Sequence, residues 1–363
     1  MIIAQKGKGA TGVDELLRVL PQLLLPWFAD NARALPWREN RDPYRVWVSE
    51  IMLQQTRVEA VKGYYDRFLA ALPDVFALAE VPEERLMKLW EGLGYYSRAR
   101  NLQKAARLVA EAGGTFPDTR EGLLALPGVG EYTAGAVASI CFDRPCAAVD
   151  GNVLRVYARF SADPTPIDAP DLKRRVREEL EAVYPPGRCG DFTQALMELG
   201  ATVCVPNGAP ACAACPLEDV CLAHLRKSER EFPRRGEKRP RRRERRTVLL
   251  LRCGDAVALE KRPEKGLLAG LWQLPNVSGT LTPQEAVDLA GSRGLQPIEL
   301  AAEVHKTHIF THIEWDMTGY EIRCAREGGG FFWASEADRR EAYALPAAFR
   351  QFLPEEGREE SGA

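Results

Sequence analysis

Glu50 stands in Trp47-Val48-Ser49-Glu50-Ile51-Met52-Leu53, an otherwise apolar stretch at helical spacing. A carboxyl carried there loses water, its neutral form is favoured, and it suits the role of general acid. The ordinary alternative is a glutamate on the wet side of its helix. Far downstream, Leu126-Pro127-Gly128-Val129-Gly130-Glu131-Tyr132-Thr133-Ala134-Gly135 precedes Val149-Asp150-Gly151-Asn152. Gly128 and Gly130 lack Cβ, so this hairpin can come very close to a ligand. The N–H groups of the hairpin and of the following helix favour an anion such as a phosphate. Asp150 arrives about one helix later and is expected to stay ionised beside those N–H groups. An αα-turn with a capped helix explains the hairpin equally well, and Asp150 before Gly151-Asn152-Val153 also fits an N-cap. Two carboxyls in different environments are what cleavage of a glycosidic bond uses, one to protonate the leaving group and one to stabilise the cationic sugar.

Cys204, Cys212, Cys215 and Cys221 are the third chemical feature. One Cys-x2-Cys pair with a single cysteine on either side, all in one loop, suits four-thiolate ligation of a metal. Zinc ribbons usually carry two such pairs farther apart, so the spacing favours a [4Fe–4S] cluster over zinc, in a structural role. The remaining five cysteines are scattered and read as small core residues. His305, His308 and His312 fall close together, but in strand and turn and without a carboxylate partner pattern, which speaks against a metal there.

The elements that must position these groups form two blocks. From about residue 14 to 225 the apolar positions repeat at helical spacing, with Val46, Val48, Ile51, Met52 and Leu53 on one face and Val58, Val61, Tyr65, Phe68 and Leu69 on the next. Pro73, Pro82, Pro117 and Pro127 separate the helices. Residues 226–246 are rich in arginine and lysine with interspersed prolines, and read as an exposed basic connector able to touch phosphates. Residues 247–353 read as a smaller α+β domain, with strands at Thr247–Leu251, Ala256–Lys261, Val304–Phe310 and Ile313–Ile322 and a helix at Gln284–Ala290. The tail after Pro354 is acidic and expected to fray. The net charge of −2 does not announce a nucleic-acid binder, so binding would use local patches. No apolar run is long enough to span a membrane, and the N-terminus MIIAQKGKGATGV has no signal-peptide pattern. A cytoplasmic monomer without a membrane partner is the expectation.

Taken with Leu35-Pro36-Trp37-Arg38, Ile51-Met52-Leu53-Gln54-Gln55-Thr56 and Gly92-Leu93-Gly94-Tyr95-Tyr96-Ser97-Arg98, these segments resemble the adenine-DNA glycosylases of the MutY family, in the helix-hairpin-helix glycosylase superfamily. The likeness covers most of residues 14–225 and, more weakly, 245–350. It implies a multi-domain protein: an all-α helix-hairpin-helix domain with a [4Fe–4S] loop, then a smaller α+β Nudix-like domain. It implies action on double-stranded DNA, excising adenine opposite 8-oxoguanine, and guanine as well, in base excision repair, with a location in the cytoplasm at the nucleoid if the source is bacterial. By that likeness Glu50 protonates adenine N7 and then handles the incoming water, and Asp150 stabilises the sugar. Tyr132 stands where related endonuclease III-type enzymes carry a lysine. A phenol cannot form a Schiff base with the sugar, so little strand cleavage is expected. Gln54, Gln55, Leu93 and Tyr95 become candidates to wedge into the duplex and read the opposite base once adenine is flipped out. Arg38, Asn152 and Gln194 match positions around the adenine pocket or its sugar, and Gly128 and Gly130 hold the DNA backbone.

Two departures stand out. The first cysteine interval, Val205 to Ala211, is one residue longer than the family's usual one. Phe310-Thr311-His312 takes the place of a Phe-Ser-His loop that touches 8-oxoguanine; threonine keeps the hydroxyl and adds a methyl. Residues 262–275 resemble the glycine-rich entry of a Nudix fold, but the helix after them lacks the paired glutamates that bind magnesium in nucleotide hydrolases, so no diphosphohydrolase activity is expected. Two rival readings are an iron–sulfur glycosylase/lyase acting on oxidised pyrimidines, which Tyr132 and the second domain oppose, and a non-catalytic lesion sensor, which the Glu50 and Asp150 pair opposes.

Overall fold

Asp42 starts the helix that carries Glu50. Its side chain accepts a hydrogen bond from Arg45 N at 2.9 Å, and Pro43 opens the first turn, so Pro43–Leu53 begins with both of its usual start signals. Tyr44 and every residue from Val46 to Met52 are buried. A helix covered all round lies in the middle of its domain, and any polar side chain on it faces either core or a cavity.

The computed structural model describes residues 15–236 and 240–353. The segment MIIAQKGKGATGV, Lys238 and Arg239 of the basic stretch, and the tail from Pro354 lie outside the described residues. The chain divides into two units, Met1–Glu80 with Asn101–Glu237 and Val81–Arg100 with Lys238–Ala363.

The first unit is helical. The glutamate helix packs on the hairpin helix, Glu131–Phe142, which packs in turn on Cys189–Thr202; that helix also meets Leu20–Asn31 and the aspartate helix, Gly151–Phe160. Thr119 caps the short helix Arg120–Leu124 by accepting from Gly122 N, and the hairpin follows. Gly128 holds φ +77° there, a left-handed conformation that favours glycine. Deeper in, a Cβ on Gly135 would stand 2.4 Å from the carbonyl oxygen of Ala147. The missing side chain lets the hairpin helix lie directly against the extended segment that delivers Asp150.

The second unit is built on a mixed seven-stranded sheet in the order β3 (Trp272–Gln273), β2 (Ala256–Lys261), β1 (Arg242–Cys253), β6 (Ile313–Cys324), β5 (Pro297–Ile309), with β4 (Asn276–Ser278) on β1 and β7 (Phe332–Ala334) on β2. β1 and β6 run parallel, from Arg242 beside Ile313 to Arg252 beside Arg323; the other pairs are antiparallel. β1 is covered on both faces, which is why Val248–Leu251 is continuously apolar rather than alternating. Val248, Leu250, Trp315 and Met317 pack with Leu345 and Phe349 on one face. Leu249, Leu251, Tyr320 and Ile322 pack with Ala286 and Ala290 on the other. Those two alanines belong to the helix Pro283–Ser292, which starts with a Thr282/Glu285 capping box.

The expected elements are present, but three boundaries differ. Residues 81–100 group with the sheet unit rather than with the helices around them: Arg100 Nη1 donates to Ala269 O, Glu91 accepts from Leu345 N, and Lys88 donates to Arg339 O. The basic stretch is not a free connector over its described length. Residues 226–236 pack on the first unit, because Arg159 donates to the carbonyls of Glu229 and Phe232, Phe232 is buried beside Ala162 and Ala223, and Ile167 N donates to Arg234 O. From Arg242 onward the chain is already strand, held by its parallel pairing with β6. Of the five scattered cysteines, Cys189 and Cys324 are buried, while Cys141, Cys146 and Cys253 keep partial exposure.

Candidate active site

A cavity of about 790 Å³ opens among the helices of the first unit. Glu50, Tyr132, Asp150, Asn152, Gln194, Arg38, Gln54, Gln55, Gly128 and Gly130 all line it, so the structure brings together the sequence-predicted residues of this unit outside the cysteine loop. Glu50 is 5% exposed. The Tyr132 hydroxyl donates to Glu50 Oε2 at 2.6 Å. Burial pushes the Glu50 carboxyl up to about 7; the tyrosine hydrogen bond and Arg38 act against that rise, and the charge of Asp150 adds to it. The same burial, together with the two carboxylates, holds the Tyr132 phenol well above its ordinary value. At neutral pH Glu50 is therefore poised between its charged and neutral forms.

Asp150 is both cap and pocket residue. Its Oδ1 accepts from Val153 N and its Oδ2 from Asn152 Nδ2, each at 2.8 Å. Burial raises its pKa above the ordinary aspartate value, and these two hydrogen bonds oppose the rise. Asn152 Oδ1 in turn accepts from Arg155 Nη2 at 2.8 Å, and Arg155 Nε donates to Cys204 O at 2.7 Å. The orientation of Asp150 is thus tied to the start of the cysteine loop. The hairpin helix begins at Gly130, which has no side chain to cap it, so no side-chain cap covers its first turn beside the cavity.

A second buried carboxylate in the cavity was not singled out from sequence. Glu198 is 0% exposed and takes Arg33 Nε at 2.6 Å and Arg38 Nη2 at 2.8 Å. Burial alone would raise its pKa, but the two arginine hydrogen bonds outweigh it and hold the carboxyl at about 2. The signal was available: Glu198 interrupts an apolar run of its helix as Glu50 does. Lys173 and Arg177 also line the cavity, with Arg177 paired to Glu131 of the hairpin helix at 2.8 Å.

The four cysteines are free and line one small cavity with Arg159, His224 and Glu229. Arg159 Nη1 lies 3.3 Å from Cys204 Sγ and donates to Val205 O at 3.0 Å. The longer first interval closes as a loop, with Ala211 N donating to Val203 O at 3.0 Å and Gly208 at φ +80° in its bend. Four thiols gathered on one cavity beside a cation fit a thiolate-held cluster. Cys212, His224 and Glu229 also have ligand atoms within 4.8 Å of one another, with His224 and Glu229 already bonded at 2.6 Å.

The other predicted residues lie in the second unit. Thr311 and His312 form the exposed turn between β5 and β6, and Phe310 is packed behind them. The Tyr95 hydroxyl meets Thr311 Oγ1 at 2.7 Å. Tyr95 is 47% exposed at φ +48°, whereas Leu93 is 5% exposed, so of the two only the tyrosine ring is open to stacking. The Arg98 guanidinium lies over the rings of Trp90 and Tyr95 at 5.3 and 5.7 Å, and Arg98 Nη2 donates to the carbonyls of Leu93 and Gly94. The three histidines do not converge: His305 pairs with Glu303 and Thr318, His308 packs on Phe310, and His312 is in the turn.

Two stretches of the chain match known families. Residues 48–186 match the HhH-GPD superfamily of base excision DNA repair proteins, and residues 247–355 match the NUDIX domain. Adenine DNA glycosylase of Rattus norvegicus is 37% identical, over 82% of this chain and 69% of its own length. The structure of a thermostable thymine-DNA glycosylase aligns with a TM-score of 0.54 at 30% identity, over 59% of this chain and 99% of its own. An endonuclease III trapped as a covalent intermediate with DNA aligns with a TM-score of 0.50 at 25% identity, over 59% of this chain and 98% of its own.

Proposed function

The chain belongs to the adenine DNA glycosylase family, and from that premise we propose that it excises adenine paired with 8-oxoguanine, and with guanine, and stops at the abasic site. The observation that carries this reading is the buried Glu50 carboxyl, hydrogen-bonded to Tyr132 and raised to about 7 in the same cavity as Asp150. The flipped adenine enters that cavity. Neutral Glu50 gives its proton to adenine N7 as the bond from C1′ to N9 breaks, and the bonding electron pair leaves with the base. Asp150 faces the resulting oxocarbenium sugar and stabilises it electrostatically. A water then attacks C1′ and returns its proton to the Glu50 carboxylate. The products are free adenine and an abasic deoxyribose.

Tyr132 supports the absence of a lyase step, because its phenol offers no amine for a Schiff base. Arg38 and Glu198 bring a donor and an acceptor to the wall of the cavity, which suits recognition of a base edge. Asn152 and Gln194 serve the sugar and base, and the Gly128–Gly130 hairpin serves the backbone phosphate. Gln54 and Gln55 of the helical unit are the groups proposed to wedge into the duplex, and within the sheet unit Tyr95 with Phe310, Thr311 and His312 is the group proposed to read the base opposite adenine. Cys204, Cys212, Cys215 and Cys221 would hold a [4Fe–4S] cluster, which when bound supplies a structural cross-link to its loop. The enzyme works as a monomer in the cytoplasm, with a helical block for the chemistry and a lesion-reading block that takes in residues 81–100 and the sheet from Arg242 onward.

Incubation with an 8-oxoguanine:adenine duplex, with strand breaks compared before and after alkali, tests the reading. Breaks that appear only after alkali are expected. Breaks without alkali would replace it with a glycosylase/lyase, and no breaks in either case with a non-catalytic lesion sensor.

A further inference from the structure

The turn that presents Thr311 and His312 is exposed, but its anchor is not. Phe310 meets His308 at 4.6 Å and Trp315 at 4.8 Å between ring centroids, edge-on to both. Trp315 is fully buried. It lies beside His308 in the β5–β6 pairing and beside Glu244 in the β1–β6 pairing. Its Nε1 donates to Glu244 Oε2 at 3.0 Å, and the guanidinium of Arg246 lies 4.2 Å from the indole centroid while donating to Asn276 Oδ1 at 2.9 Å. Arg262 approaches the same ring at 5.9 Å. The backbone closes the turn from Phe310 N to Ile313 O at 2.8 Å and from Arg242 N to His312 O at 3.0 Å.

A sheet face could be filled more simply with aliphatic side chains. Charged groups set around a buried indole cost desolvation unless each finds its partner, and when they do they specify a single arrangement. Aromatic edge contacts and a cation over the ring add direction to that arrangement. Trp315 is fully buried outside the turn and so does not itself touch a base, and Arg246, also outside the turn, is engaged with the indole and Asn276.

We propose that Trp315, with Arg246 on its ring, is the positioning element of the base-reading turn: the stack fixes Phe310 and through it the placement of Thr311 and His312. The inference rests on the assignment of that turn to reading the base opposite adenine.

The test compares single-turnover rate and half-saturation on 8-oxoguanine:adenine and guanine:adenine duplexes for wild type, Trp315→Phe, Trp315→Leu and Arg246→Gln. Trp315→Leu and Arg246→Gln should reduce the preference for the 8-oxoguanine duplex roughly five- to tenfold, on the scale of one lost base contact, and the loss should lie in half-saturation rather than in the chemical step. Trp315→Phe should restore most of it. A wild type with no preference would remove the base-reading assignment itself. A wild type that prefers 8-oxoguanine, with both variants keeping its ratio or losing only the chemical step, would overturn the positioning role. If circular dichroism shows Trp315→Leu to be unfolded, Arg246→Gln, which leaves the indole in place, decides alone.

Discussion

The cavity of the helical unit has two acidic walls, and they behave in opposite ways. Glu50 and Glu198 are both buried glutamates on helices packed against the hairpin helix. Glu50 faces a phenol and rises to about 7; Glu198 faces two guanidiniums and falls to about 2. Burial raises both carboxyls, and the partners decide whether that rise stands: a neutral phenol offsets only part of the lost hydration of Glu50, while two guanidiniums outweigh it at Glu198. One wall is left able to give up a proton at neutral pH, and the other is locked as an anion that holds Arg33 and Arg38 in place.

The sharpest way to break this contrast is kinetic. Glu50→Gln removes the carboxyl proton proposed to reach the base, and the single-turnover rate of adenine release should fall by about 10²–10⁴-fold. Glu198→Gln should act on substrate binding first, with a smaller loss in the chemical step. Equal losses in the chemical step for the two variants would mean that the walls do not divide the work.

Stability should separate them next, and with opposite signs. Glu198 has a folded pKa below its unfolded value of 4.5, so its contribution is fully present above that value and is lost as pH falls toward about 2. Glu198→Gln leaves the arginines without their counter-charge and should destabilise the fold by about 2–3 kcal/mol at neutral pH, the exposure of Arg33 keeping the figure below that of a fully buried pair. Glu50 has a folded pKa above its unfolded value, so the folded state binds the extra proton between 4.5 and about 7 and stability declines as pH rises through that window. Glu50→Gln should therefore stabilise the fold by about 2 kcal/mol at pH 8 and have little effect below pH 4.5. Denaturant unfolding of both variants across this range checks the two signs at once; destabilisation by Glu50→Gln at pH 8 would show that Glu50 is an ordinary core partner.

The same contrast marks what was legible in the sequence. Glu50 could be read because a charge in an apolar helix segment is rare, and Asp150 because it follows a glycine hairpin at helix distance. Glu198 sits in an equally apolar run, Ala195-Leu196-Met197-Glu198-Leu199, yet its meaning depends on Arg33 and Arg38, which are far away in sequence and reach it only in the fold. The strands of the second unit were legible from their local patterns. Their order was not, because the parallel pairing of β1 with β6 joins residues about seventy positions apart. Residues 81–100 look like any helical segment by periodicity, and nothing local shows that they belong with the sheet. The double-sided burial that makes Val248–Leu251 continuously apolar was visible as a strand, but not as the centre of a sheet.

The smallest expected effect is also the most specific to the Glu50 wall. If Glu50 must be protonated to act, the single-turnover rate should be level below about pH 7 and fall above it as the acid form is lost. The Tyr132 hydroxyl favours the charged form of Glu50 by donating to it, so Tyr132→Phe removes a stabiliser of the carboxylate and should move the falling limb to higher pH. The charge of Asp150 acts the other way, and Asp150→Asn should move the limb to lower pH while reducing the rate throughout. The shifts are expected to be about one unit or less, since each partner is one of several influences on a largely desolvated group. Their directions matter more than their sizes. A limb that moves down in Tyr132→Phe would mean that the phenol stabilises the neutral acid, and the difference between the phenol wall and the guanidinium wall would then lie in geometry rather than in the sign of the partner's effect.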